Sequence, residues 1–305
     1  MRRWRRTVPA ALCVALLTAC TVPPLDPTSD PELEPPPAPP PARTNWALSH
    51  RVIESYGLQI TGHNIGHYEE ATYLSLGRDA SDFDIPCYVT VSVPGQGGGP
   101  ESMIGEKVPT HVQGLPGFRN GAGAEAAYAM WQHAGESWTM VHCGLDHQRF
   151  VDVVVNALQF RPSSIFLPFG LVALPEGYGL SNISQDLSLG RTEVYVGAVD
   201  PAFGTAEPEL VISYETGADP LHRPRGRTIT VNGRTAMLND EPTSPGICVL
   251  EQQRSVCVSV FAGDTGPYPN RSGEIPTLLG IAESLRFAKD LDARSTWFPA
   301  ERAFG

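Results

Sequence analysis

The segment Ile275–Phe287, IPTLLGIAESLRF, carries the clearest folding signal in the chain. Its apolar residues recur at positions i, i+3, i+4 and i+7, the spacing of one helix face: Leu278, Ile281, Ala282 and Leu285. Pro276 suits the first turn of a helix, where a missing N–H group costs nothing. The segment therefore predicts an amphipathic helix that buries one face.

The same apolar spacing occurs earlier in the chain, in Gln148–Phe160, QRFVDVVVNALQF. Five apolar positions correspond at one offset: Val151, Val154, Val155, Leu158 and Phe160 match Leu278, Ile281, Ala282, Leu285 and Phe287. The β-branched valines would also suit a strand, but the repeated spacing favours a second helix. The pair of segments indicates that one unit is written twice.

Three further blocks repeat in the same order, which is typical of an internal duplication. The first block matches Glu54, Tyr56, Gly57, Leu58 and Tyr73 with Glu176, Tyr178, Gly179, Leu180 and Tyr195; the second matches 111–114 with 230–233, and the third matches 137–141 with 255–259. We therefore predict a first repeat at residues 46–163, a second at 164–290 and a tail at 291–305.

Each repeat reads as several strands followed by one helix. Strands are expected near 71–76 and 86–93 and in a hairpin over 127–143, with counterparts at 193–199, 208–214 and 246–261. Asn232-Gly233 is a strong hairpin-turn signal. The pattern predicts an α+β fold made of two tandem copies of a small antiparallel sheet, each with a C-terminal helix packed on one face.

The N-terminus has the pattern of a secretory signal. Arg2, Arg3, Arg5 and Arg6 precede the short apolar run Val8–Leu17, which is too short to span a membrane. The following Leu17-Thr18-Ala19-Cys20 resembles the lipobox of bacterial lipoproteins. That resemblance implies removal of residues 1–19 and a diacylglycerol on Cys20, which would anchor the chain to the extracytoplasmic face of the cell membrane.

Residues 20–45 are predicted to be a disordered, proline-rich linker after the lipidated cysteine. Positions 21–45 contain ten prolines, four acids and no aromatic residue, so they cannot bury enough apolar surface to fold. At about 3.1 Å per residue, such a polyproline stalk would reach roughly 75 Å. Its simplest role is a spacer that holds the repeats away from the membrane.

The composition excludes a nucleic-acid-binding role. Removal of residues 1–19 takes away four arginines and no acid, which changes the formal net charge from −11 to −15, whereas phosphate binding needs clustered Lys and Arg. Only Lys107 and Lys289 are lysines. With abundant Ala, Gly and Pro, this usage is typical of a GC-rich bacterium such as an actinobacterium.

The second repeat resembles a domain of unknown function found in secreted or lipidated bacterial proteins and in regulators tied to anti-sigma factors. The resemblance rests on Leu174–Tyr178, Val231–Ala236 and Ile281–Phe287. The first repeat departs from it, since its opening reads Val52-Ile53-Glu54-Ser55-Tyr56. The resemblance implies an accessory module of the cell envelope and assigns no catalytic residue.

Four cysteines remain once Cys20 is lipidated: Cys87, Cys143, Cys248 and Cys257. An even number outside the cytoplasm favours disulfides, and four cysteines allow three connectivities. Because two lie in each repeat, the economical pairing is Cys87 with Cys143 and Cys248 with Cys257. The second bond would then cross a hairpin centred on Gln252-Gln253.

Recognisable catalytic motifs are absent from the sequence, so we predict a chain that is not an enzyme and needs no cofactor. Seven of the eight histidines lie between residues 50 and 147, including His63, His67, His142 and His147. They support the alternative of an envelope hydrolase or a metal-binding protein. The acids near them are expected to form a solvated surface: Glu69, Glu70, Asp79, Asp82 and Asp84.

Aromatic residues crowd the hairpin of the first repeat, where Trp131 and Trp138 lie. Core packing is the default for such side chains, but an exposed aromatic patch would bind a partner such as an envelope protein or a glycan. The leading hypothesis is a tethered, non-catalytic protein whose tandem repeats bind an envelope partner or ligand. A purely structural spacer is the remaining alternative.

Overall fold

The computed structural model describes residues 45–54, 57–76, 85–92, 99–103, 105–120, 126–135, 137–144, 148–202, 204–216, 226–261 and 269–304. The predicted signal, Cys20 and the proline-rich linker lie outside these residues, as do Tyr56, Asp79, Asp82, Asp84 and His147. Within the described ranges, none of the helices has the length and apolar character that a membrane span requires.

The first half of the chain forms nine strands and one helix in the described residues. They are β1 (Arg51–Val52), β2 (Leu58–Gly66), β3 (Glu69–Leu76), β4 (Ile85–Ser92), β5 (Lys107–Val112), β6 (Leu115–Asn120), β7 (Ala126–Ala134), β8 (Ser137–Gly144), α1 (Gln148–Ala157) and β9 (Leu158–Gln159). The valine-rich segment is thus a helix, as its repeated apolar spacing predicts.

The second half repeats this succession and adds a tail. Its elements are β10 (Phe166–Leu167), β11 (Phe169–Leu171), β12 (Tyr178–Asp186), β13 (Arg191–Ala198), β14 (Leu210–Glu215), β15 (Arg227–Val231), β16 (Arg234–Asn239), β17 (Gly246–Glu251), β18 (Arg254–Val260), α2 (Ile275–Ser284), β19 (Leu285–Phe287), β20 (Phe298–Pro299) and α3 (Ala300–Ala303).

Fourteen of these strands form one antiparallel sheet, in the order β15-β16-β17-β18-β14-β13-β12-β2-β3-β4-β8-β7-β6-β5. The prediction of two separate small sheets is therefore wrong, although mostly antiparallel strands and a helix after the last long strand of each half are present. From the β2–β12 pair to each edge of the sheet, corresponding strands of the two halves follow one another in the same order. The two halves meet through their first long strands, β2 and β12.

The joint between the halves is a five-residue antiparallel ladder that runs from the Gly66–Asn182 pair to the Gly62–Asp186 pair. Its central pairs include Ile65 with Ile183, both fully buried. Position 62 must be glycine here, because a Cβ would collide with the carbonyl oxygen of Gln185. Pairing hides two sheet edges that would otherwise expose backbone groups and apolar side chains.

Strand register gives the residue equivalences between the halves. The β5–β6 and β15–β16 turns carry Gln113-Gly114 and Asn232-Gly233, each with positive φ at both residues, as type I′ hairpins require. Tyr73 and Tyr195 also occupy equivalent positions, because each pairs with the residue that follows a bulge in the preceding strand.

The opening block and the third block align differently from the sequence match. Gly57 and Gly177 both have a φ of 80° before the first long strand, so Gly57 corresponds to Gly177 rather than to Gly179. The third block is displaced by one residue, because Cys257 and Met140 hold equivalent ladder positions. The turns between corresponding strands differ in length, as between β2 and β3 and between β12 and β13, so short sequence matches placed these offsets wrongly.

One face of the sheet, here called the core face, is covered by the helices. Helix α1 packs on β7 and β8, and α2 packs on β17 and β18. Each helix buries the predicted stripe, including Val151 and Val154 in α1 and Leu278 and Ile281 in α2. Full burial of each such side chain contributes about 1.5–3 kcal/mol. The other face is called the open face.

The tail after α2 docks on the core face of the second half. Phe298 pairs with Leu167 in a short ladder, and the Ala300 N–H donates to the carbonyl of Ile165. The Trp297 indole N–H and the Tyr214 hydroxyl both donate to the carbonyl of Leu291. The tail thus completes the second core.

Both predicted disulfides are present. Cys87 and Cys143 are directly opposed on β4 and β8, are buried on the core face and are 56 residues apart. Cys248 and Cys257 are opposed on β17 and β18 across the Gln252-Gln253 turn. Disulfides persist in oxidising compartments, so the bonds favour a location outside the cytoplasm.

Candidate functional site

A chain of buried polar side chains, here called the polar relay, crosses the core face of the first half. Glu70 Oε1 accepts hydrogen bonds from the Ser49 N–H at 2.6 Å and the Ser49 hydroxyl, and lies 3.1 Å from His50 Nδ1. His50 Nε2 lies 2.9 Å from Thr72 Oγ1, which lies 3.3 Å from His63 Nδ1. The relay comprises Glu70, His50, Thr72 and His63, all buried.

The fold does not require this relay. Register equivalence places Phe169 at the position of His50, Val194 at that of Thr72, Ile183 at that of His63 and Thr192 at that of Glu70. The second half therefore fills three of the four positions with fully buried apolar side chains. Because buried polar groups are costly unless fully paired, the relay points to a role beyond folding.

The hydrogen-bond directions along the relay follow from Glu70. A carboxylate only accepts, so His50 Nδ1–H donates to Glu70, and a neutral His50 ring accepts the Thr72 hydroxyl proton at its Nε2. The Thr72 oxygen then accepts from His63 Nδ1–H. This leaves a lone pair on His63 Nε2, for which the described residues provide no hydrogen-bond partner.

His63 is held neutral by its surroundings. Burial is the largest cause that lowers its pKa, to about 4, and the positive charge of Arg294 and the neighbouring His50 lower it further. A neutral imidazole with a fixed Nδ1–H is what the relay requires. The relay therefore ends in a hydrogen-bond acceptor.

His63 borders a cleft on the core face, here called the inner cleft, with a volume of about 690 Å³. Its floor comes from β2 and β3, one wall from the segment around β1, and the other from the connection between the halves and the tail. The lining residues are Leu48, His50, Arg51, Val52, Ile53, Glu54, Ile60, His63, Thr72, Ser163, Ser164, Phe166, Arg294 and Ser295.

The open face of the first half carries an aromatic row across four adjacent strands: Tyr73, Tyr88, His142 and Tyr128. Each residue is the ladder partner of the next. The ring centroids of Tyr73 and Tyr88 are 6.5 Å apart, those of Tyr88 and His142 are 4.5 Å apart in an edge-on contact, and His142 stacks on Tyr128 at 4.4 Å. Tyr73 is 42% exposed.

The second half has a different row at the equivalent ladder positions. Tyr195, Val211, Ser259 and Gly246 stand there, so only one of the four aromatic side chains is repeated. Since the same strands pair without the rings, the row is not a requirement of the sheet. Tyr73 is exposed and the other three rings are half-buried. Partly exposed aromatic side chains that folding does not need are typical of interaction surfaces.

His142 is the most constrained member of the row. Both ring nitrogens are shielded from solvent and have no hydrogen-bond partner among the described residues. Burial between Tyr88 and Tyr128 lowers the pKa of His142, and burial together with the neighbouring Tyr128 raises the pKa of Tyr88. The lowered pKa keeps the His142 ring neutral near pH 7.

Two depressions flank the row on the open face. One, of about 640 Å³, lies at the joint between the halves, where Asn64, Glu69 and Tyr195 contribute to its lining. The other, of about 430 Å³, lies by β5 and β6 and includes Trp138 and Phe118. The open face thus carries a depression on each side of the aromatic row.

The structure separates the two candidate tryptophans. Trp131 is 0% exposed in the first core, 6.1 Å from the Phe160 ring. Trp131 therefore packs in the core and cannot serve as a surface anchor for a ligand. Trp138 is half-buried at a depression of the open face and remains a candidate.

The histidines do not assemble a metal site in the described part of the chain, where no three His, Cys, Asp or Glu side chains could hold an ion together. His63 lies on the core face, whereas His67 packs against Trp46 at 5.6 Å and accepts from the Ala206 N–H. His142 lies on the open face. The four-residue spacing of His63 and His67 falls in a strand and the turn after it.

Sequence reasoning placed Glu70 on a solvated acidic surface and did not single out His50 or Tyr88. Glu70 is in fact buried. The signal that could have found it is strand alternation, since Glu70 and Thr72 share the parity of buried Leu74, whereas Tyr73 has the opposite parity. His50 carries no such signal, because it precedes the two-residue strand β1.

Comparisons with known proteins add little to this geometry. No protein-family model and no curated protein matches the chain. Among solved structures, the chain is similar to the crystal structure of MucB in complex with MucA(peri), with 10% sequence identity and a TM-score of 0.19. The match covers 75% of this chain and 92% of that chain. At this identity and TM-score, neither a fold nor a partner is carried over to this chain.

Proposed function

We propose that this chain is a lipid-anchored, extracytoplasmic binding protein without catalytic activity, and that the aromatic row on its open face contacts an envelope partner. The main support for the binding face is that the two halves differ at equivalent positions of the open face. The same four ladder positions hold Tyr73, Tyr88, His142 and Tyr128 in one half and a single tyrosine in the other.

The chemistry of the row suits a partner that offers both apolar surface and hydrogen-bonding groups. Tyrosine gives a large rigid contact area with a polar tip, so little conformational entropy is lost on binding. The stacked neutral His142 adds area without charge. An envelope protein and a glycan both have these properties, whereas the net charge of −15 disfavours polyanions.

The anchor is the second element of this proposal. The lipobox-like Leu17-Thr18-Ala19-Cys20 and the proline-rich segment after it would hold the sheet away from the membrane. The two disulfides support export. Intact mass of membrane-extracted protein should show a diacylated chain that begins at Cys20; an unprocessed chain would contradict the anchor.

The inaccessibility of the relay hydroxyl supports a non-catalytic role. Glu70, His50 and Thr72 have the order of an acid, a base and a hydroxyl nucleophile. However, Thr72 is 1% exposed and His50 is 0% exposed. Although Thr72 borders the inner cleft, its hydroxyl oxygen is engaged by both His50 Nε2 and His63 Nδ1, so the arrangement does not favour hydrolysis.

The binding test uses the mature chain without its lipid, added to isolated cell envelopes of the producing bacterium. The variant Tyr88→Val/His142→Ser/Tyr128→Ala gives the first half an open face like that of the second. We expect envelope binding to fall about tenfold or more, since clustered aromatic anchors contribute about 2 kcal/mol each or more.

The matched control is Tyr195→Ala, which removes the single equivalent ring of the second half and should bind as the unaltered chain does. Circular dichroism and the thermal midpoint establish that each variant is folded. Equal envelope binding by the folded triple variant and the unaltered chain would overturn the proposed binding face.

A further inference from the structure

Two arginines line the inner cleft. Arg51 on β1 and Arg294 in the tail both line it and are exposed. Among the residues that the structure describes, neither guanidinium has an ion-pair or hydrogen-bond partner. By contrast, Arg119, Arg234 and Arg254 are each paired with a carboxylate.

The polar relay delivers a hydrogen-bond acceptor to the same cleft. With a neutral His50 ring, its sequence of donors ends at the lone pair of His63 Nε2, which borders the cleft. Arg294 is close enough to His63 to act on its titration. The cleft thus combines the positive charges of Arg51 and Arg294 with the neutral ring of His63, which the relay hydrogen bonds hold in place.

We propose that the inner cleft binds an oxyanion, a carboxylate or phosphate group, between the guanidinium groups of Arg51 and Arg294 and the Nε2 of His63. Guanidinium donors match the oxygens of such groups. A guanidinium fork pairs with two oxygens of one such group at once, which a monatomic anion such as chloride cannot offer. His63 Nε2 accepts from a protonated phosphate oxygen, and once protonated it donates to an oxygen of the bound group.

The remaining lining fits the organic part of such a ligand. Apolar side chains of Leu48, Ile53 and Ile60 border the cleft, and its volume of about 690 Å³ lies within the range of small-molecule sites. The one acid among the lining residues, Glu54, already accepts from the Ile60 N–H at 3.0 Å. Because the net charge of the chain is negative, the attraction for an anion would come from Arg51 and Arg294 alone.

Anion binding and proton uptake are coupled in this site. A bound anion offsets the positive charge of Arg294 and attracts a proton to His63, so the pKa of His63 rises on binding. By linkage, affinity increases as the pH falls below neutrality. The titratable and charged groups that face His63 from the surrounding elements are His50, Arg51, Glu54, Glu70 and Arg294.

The test is a titration of the full mature chain, labelled with ¹⁵N in its histidine rings, with inorganic phosphate and separately with acetate. Sodium chloride at equal ionic strength is the reference. We expect a saturable shift of the His63 Nε2 resonance with phosphate or acetate and none with chloride. Arg294→Gln should weaken the binding about tenfold or more, because a hydrogen bond to a charged group contributes that much.

The matched control is Arg302→Gln, which removes an exposed arginine of the same tail outside the cleft and should leave the titration unchanged. His63→Gln should keep measurable phosphate binding, followed by calorimetry, but lose its increase at low pH. Identical resonance shifts with chloride and phosphate, or equal weakening by both arginine variants, would overturn the proposal.

Discussion

At the scale of single residues, Thr72 connects the two histidines of the polar relay through one hydroxyl. We predict that Thr72→Val lowers the free energy of unfolding by about 1–3 kcal/mol, because the buried nitrogens of His50 and His63 each lose a partner. Urea unfolding followed by fluorescence measures the change. The control Thr230→Val, at an exposed strand position, should change stability by less than about 0.5 kcal/mol.

A second variant tests whether the whole relay, and not only Thr72, contributes to stability. The variant His50→Phe/His63→Ile/Glu70→Thr/Thr72→Val installs the residues of the second half. Replacement of a whole buried polar cluster by apolar groups is often neutral or stabilising. We therefore expect it to be more stable than Thr72→Val alone. A quadruple variant that is less stable than the single one would show that the relay supports the fold.

The lowered pKa of His63 predicts how stability depends on pH. The folded value is about 4 and the unfolded value is about 6.5, so the folded chain binds fewer protons between these values. The stability contribution is complete above pH 6.5 and is lost as the pH falls towards 4, on the order of 3 kcal/mol in total. Urea unfolding across this range should show a shallower pH dependence for His63→Gln; parallel curves would contradict the assignment.

Some residue roles could be read from the sequence and others could not. The helix stripes and the four disulfide cysteines follow from periodicity and even number. The burial of Glu70 follows from strand parity only once the strand boundaries are known. The relay partner His50 and the burial of Trp131 depend on which strands become neighbours, which local pattern does not encode.

At the scale of elements, the two disulfides differ in what they constrain. Cys87–Cys143 spans 56 residues and Cys248–Cys257 spans 9, so the chain-entropy model gives about 4 and about 3 kcal/mol. We expect Cys87→Ala/Cys143→Ala to lower the free energy of unfolding more than Cys248→Ala/Cys257→Ala does. Denaturant unfolding of both variants checks the order, and a larger loss for the 248–257 pair would contradict it.

Several elements were predictable because they carry a local signal, whereas the joint strands β2 and β12 were not predicted. Repeated apolar spacing gave α1 and α2, and the Asn232-Gly233 dipeptide gave one of the two type I′ turns. The alignment of the opening segments was displaced by two residues, because the Tyr-Gly-Leu match outweighed the positive φ shared by Gly57 and Gly177. Sequence identity in a short block does not report backbone conformation.

At the scale of the whole molecule, the joint between β2 and β12 makes one sheet of two units. The sequence of neither strand indicates this pairing, because Ile65 and Ile183 would suit a buried position whether the two halves form separate sheets or one joined sheet. The second core also takes Trp46, Leu48 and Ile65 from the first half. The halves therefore share apolar contacts that two independent repeats would lack.

This continuity predicts the behaviour of separated halves. Residues 46–163 and 164–305, produced apart, would each expose an edge strand and an isoleucine of the joint. We expect each to be unstable or self-associating, and a mixture to give a one-to-one complex by size-exclusion chromatography with light scattering. A full chain cleaved between Ser163 and Ser164 serves as the control. Two stable monomers that form no complex when mixed would contradict the shared core.

The central claim is that the aromatic row of the first half contacts an envelope partner. Its most direct test is photo-crosslinking in living cells, with a photoreactive phenylalanine analogue at Tyr88 or at the equivalent Val211. We predict a light-dependent product at position 88, resolved as a protein band or a sugar-bearing smear, and none at 211. Equal products at both positions, or none at either, would contradict the claim; the latter is what a structural spacer would give.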